Sequence, residues 1–254
     1  MGINNLLKFV SDSCENDQIF YHRNKSYAID MYCFIYKSLY HDDYMSHLHL
    51  YMNLFLKSAS HLYLVFDGKP PESKNVIREK RKADGVKYAR RSITQEIIQE
   101  IIERYKRIAK VSIVLSPQES DSQLAYIHLK GLADIVVTED SDLIVHGCNV
   151  IMFKLKPRGD CVIYRKDRLI ISWNFDVFRW ICILCGCDYL KGGLKGLGLW
   201  KAQKIFKSER FNECMMIEEF MEFLEMEFGV SEEFIERFKK AEHSFTSQNV
   251  VEIE

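Results

Sequence analysis

Short apolar runs that end in an acidic residue alternate along this chain with stretches of helical period. Tyr27-Ala28-Ile29-Asp30 reads as a short strand, and a helical pattern follows it to about Lys57. His61-Leu62-Tyr63-Leu64-Val65-Phe66 predicts a stronger strand, ending at Asp67-Gly68. Over residues 93–108, Ile97, Ile98, Ile101 and Ile102 fall on one face of an amphipathic helix. Residues 111–115 predict a third strand, stopped by Ser116-Pro117, and residues 119–130 then read as a helix. Asp134-Ile135-Val136-Val137 is a fourth strand, and residues 150–153 and 161–164 form a later strand pair. From Asn174 onward the pattern is helical, interrupted only by the glycine-rich stretch 192–198. This order predicts an α/β fold with a largely parallel, doubly wound sheet flanked by helices.

Composition narrows the class. With 47% hydrophobic against 28% charged residues, the 254-residue chain can bury a core and is not of the disordered type. No apolar run approaches the ~20 residues of a membrane helix, and the first residues lack a secretory pattern, so an intracellular protein is expected. Met1-Gly2 is followed by Leu6 where a myristoylation signal has Ser or Thr. The eight cysteines read as small buried apolar residues or metal ligands before they read as a disulfide framework. Cys182, Cys185 and Cys187 form a C-x-x-C-x-C run without the second Cys or His pair that a closed zinc site needs.

A net charge of -1 hides an asymmetry. Residues 69–91 carry nine basic against three acidic side chains, a local +6, whereas residues 208–254 carry thirteen acidic against four basic, a local -9. The acidic tail has Phe220, Phe223, Leu224 and Phe228 at helical spacing and reads as amphipathic helices with a solvated face. The basic run suits a polyanion.

The acidic residues that follow the strands suggest the chemistry. Asp30, Asp67, Glu119 with Asp121, and Asp140 with Asp142 all lie just past predicted strands, the edge at which open parallel sheets place their working sites. Each alone reads as a turn or capping residue. Together they form a set that needs cations, because two carboxylates ~4 Å apart repel by about 4 kcal/mol at an effective dielectric near 20. All-oxygen ligands favour Mg²⁺ or Mn²⁺, and a two-metal pair suits phosphodiester hydrolysis.

Several motifs carry a resemblance. Met1-Gly2-Ile3 with Leu6-Leu7, Ile29-Asp30-Met31-Tyr32, Val65-Phe66-Asp67-Gly68, Glu119-Ser120-Asp121-Ser122-Gln123-Leu124-Ala125-Tyr126, Thr138-Glu139-Asp140-Ser141-Asp142-Leu143 and Gly186-Cys187-Asp188-Tyr189-Leu190 resemble the flap endonuclease and exonuclease 1 superfamily of structure-specific 5′ nucleases. Leu124-Ala125-Tyr126 and Ile181-Cys182-Ile183-Leu184 bring it closest to the exonuclease 1 branch. The resemblance implies a PIN-like nuclease core over residues 1–188, with a helical arch at about 68–110 and a helix-two-turn-helix DNA-binding region over 189–254. It adds Asp188 to the six carboxylates above, giving seven residues that hold two Mg²⁺ ions, for which Mn²⁺ can substitute.

Further residues follow from the same resemblance. Lys74 and Arg81 match a basic pair on the arch that holds the scissile phosphate, and their seven-residue spacing sets them on one helix face with Arg78 between. Lys191, Gly193, Lys195, Gly196, Gly198 and Lys201 match the duplex-holding element and its K⁺ site, in a copy one residue longer than usual. Tyr32 and Tyr36 are expected DNA contacts, Tyr36 standing where relatives commonly have His and able to stack on a base.

The implied activity is 5′→3′ exonuclease action on duplex DNA, with cutting of 5′ flaps, in repair or replication. The expected partner is DNA with 5′ ends, nicks, gaps or flaps, and the expected form is a nuclear monomer. Only 51 residues separate Asp67 from Glu119, fewer than in exonuclease 1 relatives, which predicts preference for duplex ends and nicks over long flaps. The alternatives are a PIN-type ribonuclease and a DNA-junction scaffold without turnover. The acidic set opposes the scaffold, since a pure binder gains nothing from repelling phosphate.

Overall fold

The computed structural model describes residues 2–68, 93–207, 211, 215–247 and 249–253. Contacts divide the chain into a sheet unit, Cys14–Glu139, Gly147–Asp167 and Asn249–Glu254, and a helical unit, Met1–Ser13, Asp140–His146 and Arg168–Gln248. A linear boundary at residues 188/189 falls inside the helical unit.

The sheet unit is built on seven strands: β1 (Cys14–Gln18), β2 (Ser26–Asp30), β3 (His61–Phe66), β4 (Val111–Leu115), β5 (Ile135–Val137), β6 (Val150–Phe153) and β7 (Asp160–Arg165), in the order β1-β7-β6-β5-β2-β3-β4. The five strands from β6 to β4 are parallel. β7 runs antiparallel to β6 and β1 antiparallel to β7. The expected largely parallel sheet is therefore present, with an antiparallel flank. β1 has the sequence Cys-Glu-Asn-Asp-Gln and was not foreseen, because a half-exposed edge strand carries no apolar signal. In contrast β5 is buried throughout, which is why three apolar residues sufficed to reveal it.

The expected helix after Asp30 is two helices, α2 (Met31–Ser38) and α3 (Tyr44–Ser58). Asp43 accepts the Ser46 N–H and starts α3 anew, so a short-range cap overrides the continuous helical period. Both helices bury an aromatic layer in which Phe34 meets Tyr51 at 5.1 Å and Tyr27 meets Phe55 at 5.2 Å. Next come α4 (Gln95–Tyr105), capped by Thr94, and α5 (Ser120–Leu129), both within the predicted ranges.

The helical unit contains α1 (Leu6–Phe9), α6 (Asp142–Val145), α7 (Phe175–Leu184), α8 (Leu199–Ile205), α9 (Ile217–Phe228) and α10 (Glu232–Thr246). Its core is aromatic: Phe206 stands 5.2 Å from Phe211 and 5.6 Å from Phe220, and the Trp173 indole donates to the Phe206 carbonyl at 2.6 Å. Phe220 and Leu224 are buried on α9, as the amphipathic reading of the acidic tail requires. Cys182 and Cys187 are buried and Cys185 is partly so; burial pushes all three thiols up, Cys185 and Cys187 to about 12.

Candidate metal centre and nucleic-acid surfaces

The order of the sheet sets where its carboxylates fall. From β2 the chain moves outward through β3 and β4, then returns to β5 on the opposite side, so the order of strands reverses between β2 and β5. Such a switch point is where open sheets bind ligands. Asp30 ends β2, in register with Val65, and Ile29 is in register with Val137, so Asp30 and Thr138 leave the sheet side by side.

Asp30 is buried and held by four donors. Its Oδ1 accepts the N–H groups of Tyr32 at 3.1 Å and Cys33 at 3.4 Å, capping α2. Its Oδ2 accepts the Cys33 thiol at 2.8 Å and the Thr138 hydroxyl at 2.9 Å. Burial pushes the Asp30 carboxyl up to about 6; the thiol bond pulls it down, and the neighbouring Asp67 charge pushes it further up.

Asp67 follows β3 and accepts the Ser120 N–H at 2.8 Å, so it caps the helix that carries Asp121 and is preceded by Glu119. Gly68 makes this approach possible: its N–H donates to the Gln118 carbonyl at 2.6 Å, and a Cβ there would stand 1.9 Å from the Ser116 carbonyl oxygen. Asp30, Asp67, Glu119 and Asp121 thus belong to one edge of the sheet unit.

Asp140, Asp142 and Asp188 belong to the helical unit. Asp140 and Asp142 are buried, and the Asp142 N–H donates to Asp140 Oδ1 at 3.0 Å. The N-terminal segment closes on this pair: the Ile3 N–H donates to Asp142 Oδ1 at 2.8 Å. Gly2 has φ +84, and a Cβ on it would lie 2.3 Å from Asp140 Oδ1 and 2.7 Å from Asp142 Oδ1. Only glycine fits there, which gives Met1-Gly2-Ile3 a physical reason that sequence spacing did not supply. Asp188 lies past α7, and both Asp142 and Asp188 push up the Cys187 thiol.

Among the described residues no three His, Cys, Asp or Glu side chains converge closely enough to cage one ion unaided. The donors nevertheless fit a hard cation, because Mg²⁺ retains several waters and is commonly held by one or two carboxylates together with substrate phosphates. Lys74, Arg78 and Arg81 lie outside the described residues.

Two features suit nucleic acid. Between α7 and α8 the backbone makes two successive turns, and Gly193, with φ +47, packs its backbone on α7: a Cβ there would stand 2.2 Å from the Leu184 carbonyl oxygen. The Leu194 N–H donates to that same carbonyl at 2.7 Å. Lys191 and Lys195 are exposed on these turns, beside Gly196 at φ +77 and ahead of Gly198, while the Lys201 ammonium bonds the Gly196 carbonyl at 3.0 Å.

The second feature is an open cavity of about 610 Å³ in the sheet unit, lined by Lys37, Tyr40, His41, His47, Lys154 and Lys156 among others. His41 and His47 stack at 3.7 Å, and Lys37 pairs with Glu139. Sequence reasoning missed this cavity, because its lysines come from α2 and from residues 154–156, more than a hundred positions away. Nearby on α2, Tyr36 is 47% exposed and its ring centroid lies 6.4 Å from that of Tyr32.

Comparison with known proteins fits these features. Residues 110–188 match the XPG I-region family. Exonuclease 1 from Danio rerio is 31% identical over 98% of this chain and 36% of its own length. The chain thus spans little more than a third of the curated relatives it matches. Among solved structures, the catalytic core of Rad2 in complex with DNA substrate superposes with a TM-score of 0.69 at 18% identity, covering 99% of this chain and 82% of that one. Human GEN1 in complex with Holliday junction DNA gives 0.72 at 16% identity, covering 99% of this chain and 68% of that one. These likenesses establish the fold as that of the PIN-like nuclease cores. Residues 110–188 thus carry the XPG I-region pattern, and over nearly its whole length the chain is similar to exonuclease 1 relatives.

Proposed function

We propose that this chain is a Mg²⁺-dependent, structure-specific 5′ nuclease acting on DNA, a 5′→3′ exonuclease on duplex that also cuts 5′ flaps. The observation that carries this reading is the acidic edge at the switch point: Asp30 buried and bonded by four donors, with Asp67 tied to the start of α5 beside Glu119 and Asp121. A binding scaffold has no use for buried carboxylates that repel phosphate. The proposed ligands are Asp30, Asp67, Glu119, Asp121, Asp140, Asp142 and Asp188, holding two Mg²⁺ ions, with Mn²⁺ able to substitute. When bound, such ions offset the carboxylate charge, lower the pKa of water at the site and stabilise the leaving oxygen.

The chain's own residues position the substrate. Lys74 and Arg81 are the proposed grip on the scissile phosphate, with Arg78 beside them. Exposed Lys191 and Lys195, with Lys201, Gly193, Gly196 and Gly198, meet the duplex backbone without reading bases, and the turns are the proposed K⁺ site. Lys37, Lys154 and Lys156 offer further phosphate contacts, and Tyr36, supported by Tyr32, offers a stacking face. The proposed setting is DNA repair in the nucleus, as a monomer on DNA with 5′ ends, nicks, gaps or flaps. Among the described residues no helix is long and apolar enough to cross a membrane.

The test is cleavage of 5′- and 3′-labelled duplex, nicked, flap and RNA substrates with and without Mg²⁺. Mg²⁺-dependent release from 5′ ends of DNA supports the proposal. Cleavage of RNA alone supports the PIN-type ribonuclease, and tight junction binding without cleavage in any metal supports the scaffold.

A further inference from the structure

The four donors to Asp30 come from two segments that meet across the switch point. Tyr32 and Cys33 belong to the helix that Asp30 starts, whereas Thr138 follows β5. The thiol is itself oriented, because the Glu139 N–H donates to Cys33 Sγ at 3.3 Å. With one lone pair on sulfur occupied by that donor, the S–H is turned toward Asp30 Oδ2. Thr138 Oγ1 stands 2.9 Å from the same oxygen and 3.8 Å from the sulfur, so the three groups form one tight cluster.

A carboxylate offers about four lone-pair positions, and here backbone donors use those of Oδ1 while side-chain donors use those of Oδ2. Oδ1 is fixed by the helix start whatever the side chains are. Oδ2 depends wholly on Cys33 and Thr138. We infer that Thr138 and Cys33 are positioning residues, which hold the Asp30 carboxylate in one rotamer for a divalent cation.

The inference rests on the reading of Asp30 as a metal ligand and extends it to two residues that touch neither metal nor DNA. Partners that orient a ligand in this way generally change metal affinity 10–100-fold when removed. The Cys33 N–H bond to Oδ1, at 3.4 Å, is the longest of the four, so a cation can take that position on Oδ1 while both side-chain bonds to Oδ2 persist.

The experiment measures Mn²⁺ binding to the full chain without DNA, by the electron paramagnetic resonance signal of free Mn²⁺, with a thermal melt of each variant. Thr138→Val keeps the shape of the side chain and removes the donor; Cys33→Ala removes the thiol. Each is expected to weaken the tightest Mn²⁺ site about tenfold or more, while Thr138→Ser and Cys33→Ser, which keep a donor, stay within about threefold of wild type. If Thr138→Val fails to fold, the Cys33→Ala and Cys33→Ser pair reads the same oxygen. Asp30→Asn separates the two levels of the argument. Loss of Mn²⁺ binding in Asp30→Asn, with Thr138→Val and Cys33→Ala both within twofold of wild type, overturns the positioning role alone. Unchanged binding in Asp30→Asn overturns the metal reading and the positioning role together.

Discussion

Replacing Gly2 by Ala adds one methyl group at the most crowded point of the acidic pair. That methyl would lie 2.3 Å from Asp140 Oδ1, 2.5 Å from Ser141 Oγ and 2.7 Å from Asp142 Oδ1, each about 1 Å closer than van der Waals contact allows. The backbone resists as well, since φ +84 costs an L-residue roughly 1–2 kcal/mol. Either the carboxylates rotate or the N-terminal segment lifts, and lifting breaks the Ile3 N–H bond to Asp142, worth about 1.5–3 kcal/mol for a charged acceptor. Both routes disturb the bond between the Ile3 N–H and Asp142 Oδ1 that seats this carboxylate. A misplacement of about 1 Å at a reacting centre can lower a rate 10²-fold. Ile3 and Leu6 of this segment are buried, so Gly2→Ala should also lower the melting temperature, by roughly 5–10 °C for a loss of about 2–3 kcal/mol, while the single-turnover cleavage of nicked DNA in Mg²⁺ by the folded protein falls about 30- to 100-fold. Cleavage within threefold of wild type would refute the argument that residue 2 must be glycine to seat the acidic pair.

Three further outcomes are expected. Replacing Lys191 and Lys195 together by Ala should weaken binding to all duplex sequences alike and reduce the slope of log K against log salt by about 2, as measured by fluorescence anisotropy; an unchanged slope removes these lysines from the interface. Asp30 has its pKa raised from the ordinary Asp value to about 6, so ionising it opposes folding as pH rises through 4 to 6. In EDTA, Asp30→Asn should therefore stabilise the protein at pH 7, by on the order of 2–3 kcal/mol, and the gain should vanish near pH 4; a gain that grows on acidification would contradict the sign. Competition between a nicked duplex and a long 5′ flap should favour the nick, given the 51 residues between Asp67 and Glu119; strong preference for the flap, abolished by blocking its free 5′ end, would show that the arch threads.

Much of this was legible in the sequence for physical reasons that can be named. A buried parallel strand reads as a short apolar run, and an acidic residue at its end both stops the run and marks the sheet edge, so Asp30, Asp67, Glu119, Asp121, Asp140 and Asp142 announced themselves. Asp188 could not be found that way. It follows a helix, where no strand end points to it, and only the resemblance supplied it. The polar edge strand β1 and the break between α2 and α3 were hidden because pairing with Tyr164 and its neighbours, in one case, and an Asp cap, in the other, outweigh periodicity. Thr138 was hidden for a different reason: its role lies in a hydrogen bond across 108 positions of sequence, which no local pattern records, whereas Cys33 bonds Asp30 from three positions on but reads as a buried apolar residue. Gly2 likewise draws its meaning from residues 140–142.

The central claim is that the carboxylates serve metal-dependent hydrolysis and not DNA affinity. Single-turnover cleavage and equilibrium binding of one 5′-labelled nicked duplex, measured for wild type and Asp142→Asn, test it most directly. The account predicts a rate lower by about 10³-fold or more, equivalent to roughly 4 kcal/mol of lost transition-state stabilisation, with binding equal or tighter because a charge that repels phosphate is gone. Near-normal cleavage in Mg²⁺, or a loss of rate explained wholly by weaker binding, would contradict it.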